Sequence, residues 1–252
     1  ERKLAFYDLE YTEEDRSLDD RLPIELGKHL GAPVRPFPLG LDGGNFLSNK
    51  KYCFTSEPMG YYLRREKRVQ LSSNQDRRAF FQRLKTLTGC ERVVAFRDTP
   101  HAHIDMWAKI VNDENVVVGE VEDQAVHLAF QNSPAMGMAA RKSQKQLARL
   151  AQQFAKYITV TRIPMPLPYT DTLRNYTNAL IVNNAILVPS YRNYLGNQFD
   201  GDYPDRTLHF EYEARVKQVY GKFGLTSEFI NADALISDGG GIHCVTMQVP
   251  KI

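Results

Sequence analysis

The order of local signals predicts an α/β fold assembled from a repeated ββαβ unit. Three stretches each run as two apolar segments around a polar turn, then residues at helical spacing, then one closing apolar segment. Partial copies of the same order stand at both ends of the chain. The composition agrees with a folded protein, with 42% hydrophobic and 25% charged residues among 252.

Residues 1–40 form a partial unit: a strand (KLAFYDLEY), a helix with Pro23 early and Gly31 late, and a strand (PVRPFPL). The unit at about 41–100 opens with NFLSNKKYCFTS, a hairpin around a Ser-Asn-Lys-Lys turn. Ser73 and Asn74 start its helix, Phe80, Leu84 and Leu87 share one face, and Gly89 ends it before the strand ERVVAF. The unit at about 101–170 has HIDMWAKIV and VVVGEV joined by Asn112-Asp113-Glu114-Asn115. Its helix carries Leu147, Leu150, Ala151 and Phe154, and ITVTRI closes it. The unit at about 171–235 runs YTNALIV, Asn183-Asn184, AILVPSY and a long polar loop. A helix with Tyr212, Val216, Val219, Tyr220 and Phe223 follows, ended by Gly224, and then TSEFI. Residues 236–252 hold IHCVTMQVP, read as the opening strand of a further unit, so that residues 1–252 make one domain.

Asn45, Asp105, Asn178 and Cys244 stand where successive units open, roughly 60 to 75 residues apart. Units closed into a ring would bring these polar side chains together at the axis. A plain α/β sandwich with coincidental spacing accounts for the periodicity as well.

The net charge of +2, without a dense Lys/Arg block, gives no reason to expect nucleic acid. No apolar run approaches the roughly 18 residues of a membrane span, and no secretory leader is present, so a soluble, cytoplasmic protein is expected. The chain begins at Glu1 rather than methionine, which leads us to expect an upstream segment that was removed or lies on another chain. Three cysteines cannot all pair with one another; Cys53 and Cys90, in apolar surroundings, are expected to be small buried fillers in a reducing compartment. No C-x-x-C or zinc-like ligand spacing occurs.

Two segments could carry chemistry. On a strand, HIDMW would send His103, Asp105 and Trp107 to one face and Ile104 and Met106 to the core. A histidine and a carboxylate two apart form an acid/base and cation-binding pair, although a core histidine beside a surface Asp fits the same pattern. In GGGIHC, Gly239, Gly240 and Gly241 would let a substrate approach the strand bearing Cys244. A thiol there needs a histidine to handle protons. On a strand His243 would face away from Cys244, which leaves His103 as the expected partner. Asp42-Gly43-Gly44-Asn45 likewise delivers polar side chains from a glycine turn, and a turn-forming role alone would explain it.

Taken in order, DGGN, HAHID, TNALIVN with AILVPSY, and GGGIHCVTMQVP resemble the agmatine deiminase and bacterial-type peptidylarginine deiminase family, from about residue 3 to the end. The resemblance implies a five-bladed α/β propeller (pentein) of ββαβ modules, the first of them incomplete here. It implies a hydrolase acting on an agmatine-like amine or peptidyl-arginine, with no metal or other cofactor. Cys244 would be the nucleophile, His103 the proton carrier and Asp105 the guanidinium-binding carboxylate. Asn178, Asn45, Asp42, Trp107, Gly240 and Gly241 would line the substrate pocket. An amidinotransferase and an inactive guanidinium-binding relative are the alternatives. The family's Trp-x-Arg-Asp motif, source of a second carboxylate, is absent; Arg97-Asp98 lies in the wrong module and reads as loop. About 80 residues of a five-unit ring are lacking, so a separate N-terminal fragment of the same protein, docked non-covalently, is the expected partner. The segment Tyr11–Arg16 would lie near the mouth of the site, or would be a solvated helix entry.

Overall fold

The computed structural model describes residues 4–10, 18–49, 51–57, 61–64, 67–69, 71–166, 173–191 and 206–249. The segment Tyr11–Arg16 and most of the long loop after Tyr191 lie outside them. The partial first unit is β1 (Phe6–Glu10), α1 (Leu22–Leu30) and β2 (Val34–Gly40), its two strands parallel. Proline sits in the first turn of α1, where a missing N–H costs nothing, and Gly31 ends the helix at φ 64°.

The next unit pairs β3 (Leu47–Ser48) and β4 (Tyr52–Ser56) as a hairpin. The short strands β5 (Tyr61–Arg64) and β6 (Lys67–Val69), which the sequence did not announce, extend the β1–β2 sheet instead. Helix α2 (Asn74–Thr88) begins with a reciprocal cap: Asp76 N donates to Ser73 Oγ at 3.1 Å while Ser73 N donates to Asp76 Oδ2 at 3.3 Å. It buries Phe80 and Leu84 and stops at Gly89, φ 73°, so that β7 (Arg92–Phe96) returns parallel to β4.

The third unit repeats the order with β8 (Ala108–Asn112), β9 (Asn115–Glu120) and β10 (Thr159–Pro164). Between them α3 (Asp123–Asn132) and α4 (Pro134–Phe154) meet at Ser133, which is extended because Pro134 follows, and whose hydroxyl caps α4. The last complete unit has β11 (Leu180–Val182), β12 (Ala185–Ser190), α5 (Arg206–Gly221) and β13 (Thr226–Asn231), followed by α6 (Asp233–Ser237). In all three complete units a hairpin is joined on its second strand by a parallel strand returning from the helix layer. This is the ββαβ module of the α/β propeller (pentein) architecture. Among the described residues no helix is long and apolar enough to cross a membrane.

Three expectations need correction. First, the strand reading of HIDMW fails, because Ile104–Met106 form a 3-10 turn and strand alternation does not apply. Ile104, Asp105, Met106 and Trp107 are all buried. Trp107 therefore belongs to the core and not to a pocket face: its ring meets Phe96 edge-on at 5.6 Å and Phe154 at 6.0 Å, and its Nε1 donates to the carbonyl of His101 at 3.2 Å.

Second, Cys53 and Cys90 form a disulfide with 5.9 Å between their Cα atoms. Parallel pairing of β4 with β7 places Cys90, two residues ahead of Arg92, beside Cys53. The expectation of a reducing compartment rested on those two thiols and loses that support; Cys244 is the free cysteine.

Third, IHCVTMQVP is no strand within the described residues: His243–Val245 form a 3-10 turn and Thr246–Val249 are irregular. The backbone here bonds to Asn178, through both its side-chain oxygen and its carbonyl, rather than to a neighbouring strand.

Phe154 is the hub of the aromatic cluster, with ring centroids 4.4 Å from Phe96 and 4.9 Å from Phe54. Phe154→Ala is expected to lower stability by about 3–5 kcal/mol, read as a fall in the denaturation midpoint. A change below about 1 kcal/mol would mean that the cluster does not hold the second and third units together.

Candidate active site

Cys244 leaves the body of the protein on a glycine run and is held by one carboxamide. Asn178 is fully buried, and its Oδ1 accepts from His243 N at 2.9 Å and Cys244 N at 3.3 Å, while its Nδ2 donates to Cys244 Sγ at 3.2 Å. Asn175 fixes Asn178 in turn, its Oδ1 accepting from Asn178 N at 2.7 Å. A Cβ on Gly241 would lie 2.6 Å from Asn178 Oδ1, and one on Gly240 would lie 3.1 Å from the Cβ of Cys244. Both glycines therefore make room for the site's own side chains.

His103 precedes the 3-10 turn before β8 as its N-cap, and Asp105 is the middle residue of that turn. His103 Nε2 lies 3.4 Å from Asp42 Oδ2. The hydrogen bond with Asp42, then that with Cys244, then the charges of Asp105 and Asp42 outweigh burial and raise the His103 pKa to about 10. The imidazole is thus held as its cation at neutral pH. The folded-state value lies above the ordinary one of about 6.5, so this pairing stabilises the fold fully below that pH and ceases to as pH rises through about 10. Behind it, His101 accepts from His103 N at 3.0 Å, and burial followed by the His103 charge lowers the His101 pKa.

Asp105 has no exposed surface. Its Oδ2 lies 2.8 Å from His243 Nδ1 and 4.0 Å from Cys244 Sγ, and its Oδ1 has no hydrogen-bond partner among the described residues. Gly44 closes one side: a Cβ there would lie 2.7 Å from His103 Nδ1 and 3.2 Å from Asp105 Oδ1. Asn45 serves the same turn from beneath. Its Oδ1 accepts from Ser56 N at 2.8 Å and its Nδ2 donates to Ser56 O at 3.0 Å, which fastens the Asp42–Asn45 turn to β4. The Ser56 hydroxyl also touches the carbonyl of Ala102, next to His103.

Cys244, His103, Asp105, Asn178, Asp42, Gly240 and Gly241 are thus brought together. Asn45 is one layer back as a fastener, and Trp107 is in the core. Sequence reasoning missed three residues. His243 was set aside by a strand assumption that the 3-10 turn removes. Gly44 had its place in the glycine turn as the only signal. Lys109, a lysine inside an apolar strand, was passed over.

The Asp42 contact generates a direct prediction. Asp42→Asn should bring the His103 pKa down from about 10 toward its ordinary range, followed by NMR titration of the ring protons. A His103 titration unchanged by the substitution would remove Asp42 as the cause.

With this geometry in place, comparison with known proteins is informative. The family model described as Porphyromonas-type peptidyl-arginine deiminase matches residues 6–250. A Photobacterium profundum protein named "putative agmatine deiminase" is 22% identical over 251 residues, covering 93% of this chain and 64% of the relative. A Legionella pneumophila protein of the same name is 25% identical over 248 residues, covering 94% of this chain and 63% of the relative. The chain thus spans somewhat less than two thirds of the length of these curated relatives. Among solved structures, the C. jejuni agmatine deiminase superposes with a TM-score of 0.68 at 17% identity, over 96% of this chain and 65% of that one. The Enterococcus faecalis agmatine deiminase gives 0.67 at 20% identity, over 99% and 70%.

Proposed function

Because the chain belongs to the Porphyromonas-type peptidyl-arginine deiminase family, we propose that it carries the catalytic site of a hydrolase converting a guanidino group to a ureido group and ammonia. The substrate class is an agmatine-like amine or peptidyl-arginine. The observation that supports this most is the meeting of a free thiol from the C-terminal segment with a cationic imidazole and a buried carboxylate from the third unit. Relatives named agmatine deiminase add to it.

A planar guanidinium donates forked N–H groups, which a carboxylate accepts in charge-assisted bonds. Asp105 Oδ1 is the acceptor to which such a group can donate without displacing a partner. The central carbon is then attacked by the Cys244 thiolate; a C–S bond forms, the C–N π pair moves onto nitrogen, and the charges of thiolate and guanidinium cancel in a neutral tetrahedral centre. His103, held as imidazolium by Asp42, gives its proton to the departing nitrogen, and ammonia leaves with the C–N bond. The neutral imidazole next removes a proton from water as the water oxygen adds to the thiouronium carbon. Collapse breaks the C–S bond and returns the thiolate. The hydroxyl proton passes to solvent, where it and the released ammonia make ammonium, and the ureido product remains with His103 again charged. Asn178 keeps the sulfur and its backbone in place throughout. A second guanidinium-binding carboxylate is expected from the part of the family's length that this chain does not span, on the same polypeptide or on a separately docked fragment.

The test is turnover of agmatine and of arginyl peptides, followed by ureido product in the longest polypeptide that carries the chain. Cys244→Ala and His103→Ala are expected to reduce turnover by about a thousandfold or more while the fold persists. Asp105→Asn should raise KM more than it lowers kcat. Retained turnover in Cys244→Ala would overturn the assignment.

A further inference from the structure

Lys109 is a buried lysine, 6% exposed, on β8, four residues beyond Asp105. It lies opposite Val117 of β9, in a strand pair that is otherwise apolar at this level. Among the described residues no hydrogen bond or ion pair engages its ammonium, yet its charge is felt by both Asp105 and Cys244. Burying an unpaired ammonium is costly, and neither the core nor the proposed reaction steps require one. A fully buried carboxylate with one unbonded oxygen carries the complementary cost.

We propose that Lys109 is a positioning residue of the site: its buried side chain supplies a fixed positive charge against which the Asp105 carboxylate and the Cys244 sulfur are held before a cationic substrate arrives. Burial brings its pKa down to about 8 while Asp105, then Cys244, pull the other way, so the ammonium persists at neutral pH. His103 and His243 supply the other nearby cationic or ionisable nitrogens, and Asp42 the other carboxylate. When a guanidinium binds Asp105, Lys109 becomes its competitor for that carboxylate and remains a counter-charge for the sulfur. This deepens the deiminase reading by assigning Lys109 to the same site, and it rests on Cys244 being the reactive thiol.

The experiment needs no turnover, so its failure is distinct from failure of the deiminase reading. Cys53 and Cys90 are paired, which leaves Cys244 as the thiol to alkylate without reductant. The rate with anionic iodoacetate is divided by the rate with neutral iodoacetamide at pH 7; a local positive charge raises this ratio, and a change in packing moves both rates together. In Lys109→Met the ratio is expected to fall about threefold or more, and in Lys109→Arg to stay within about twofold of the parent. If methionine is not tolerated, Lys109→Gln against Lys109→Arg makes the same comparison. A ratio unchanged in the uncharged variant would overturn the proposal.

Discussion

The carboxamide of Asn178 is the contact on which the site depends. It binds two backbone N–H groups of the turn bearing Cys244 and donates to the sulfur itself, and it does so while fully buried. A buried amide that accepts two bonds at its oxygen and donates one from its nitrogen is held in one orientation, because a flip would set oxygen against the sulfur and nitrogen against two N–H donors. The cysteine turn thereby inherits the rigidity of the third complete unit, although it has no strand pairing of its own. Gly241 has to be glycine for the same reason, since the amide oxygen occupies the space a Cβ would take.

Around that fixed sulfur the site is organised by charge. Asp42 lies 3.4 Å from His103 and Asp105 lies 2.8 Å from His243, and the charge of Asp105 acts on Lys109 as well. Asp42 keeps the imidazole charged, which suits it to give a proton before it takes one. The glycine turn supplies Asp42 and, through Gly44, lets the His103 ring and Asp105 pack against bare backbone. Asn45 then fastens this turn to β4.

Much of the fold was legible because hairpin turns and helix ends leave local marks. Ser73, Gly31 and Gly89 each mark a helix end that the structure keeps, whereas the break between α3 and α4 at Pro134 went unread. The convergence of Asp105, Asn178 and Cys244 was legible from their recurrence at unit openings, with His103 two residues from Asp105; Asn45, the remaining landmark, fastens its turn to Ser56 instead. What could not be read was the local geometry at the site, where tertiary contacts override the strand period. The 3-10 turns at Ile104–Met106 and His243–Val245 send Trp107 inward and turn His243 toward Asp105. Nor did the cysteine spacing disclose the Cys53–Cys90 bond, which depends on the parallel register of β4 and β7.

The central claim is that Cys244 forms a covalent bond to the guanidino carbon. Acid-quenching the protein during turnover and mapping its peptides by mass spectrometry tests this most directly. The account predicts that the Cys244 peptide carries the mass of the substrate less ammonia, and that Cys53 and Cys90 do not. Ureido product formed while the Cys244 peptide stays unmodified, or an adduct on another residue, would contradict it.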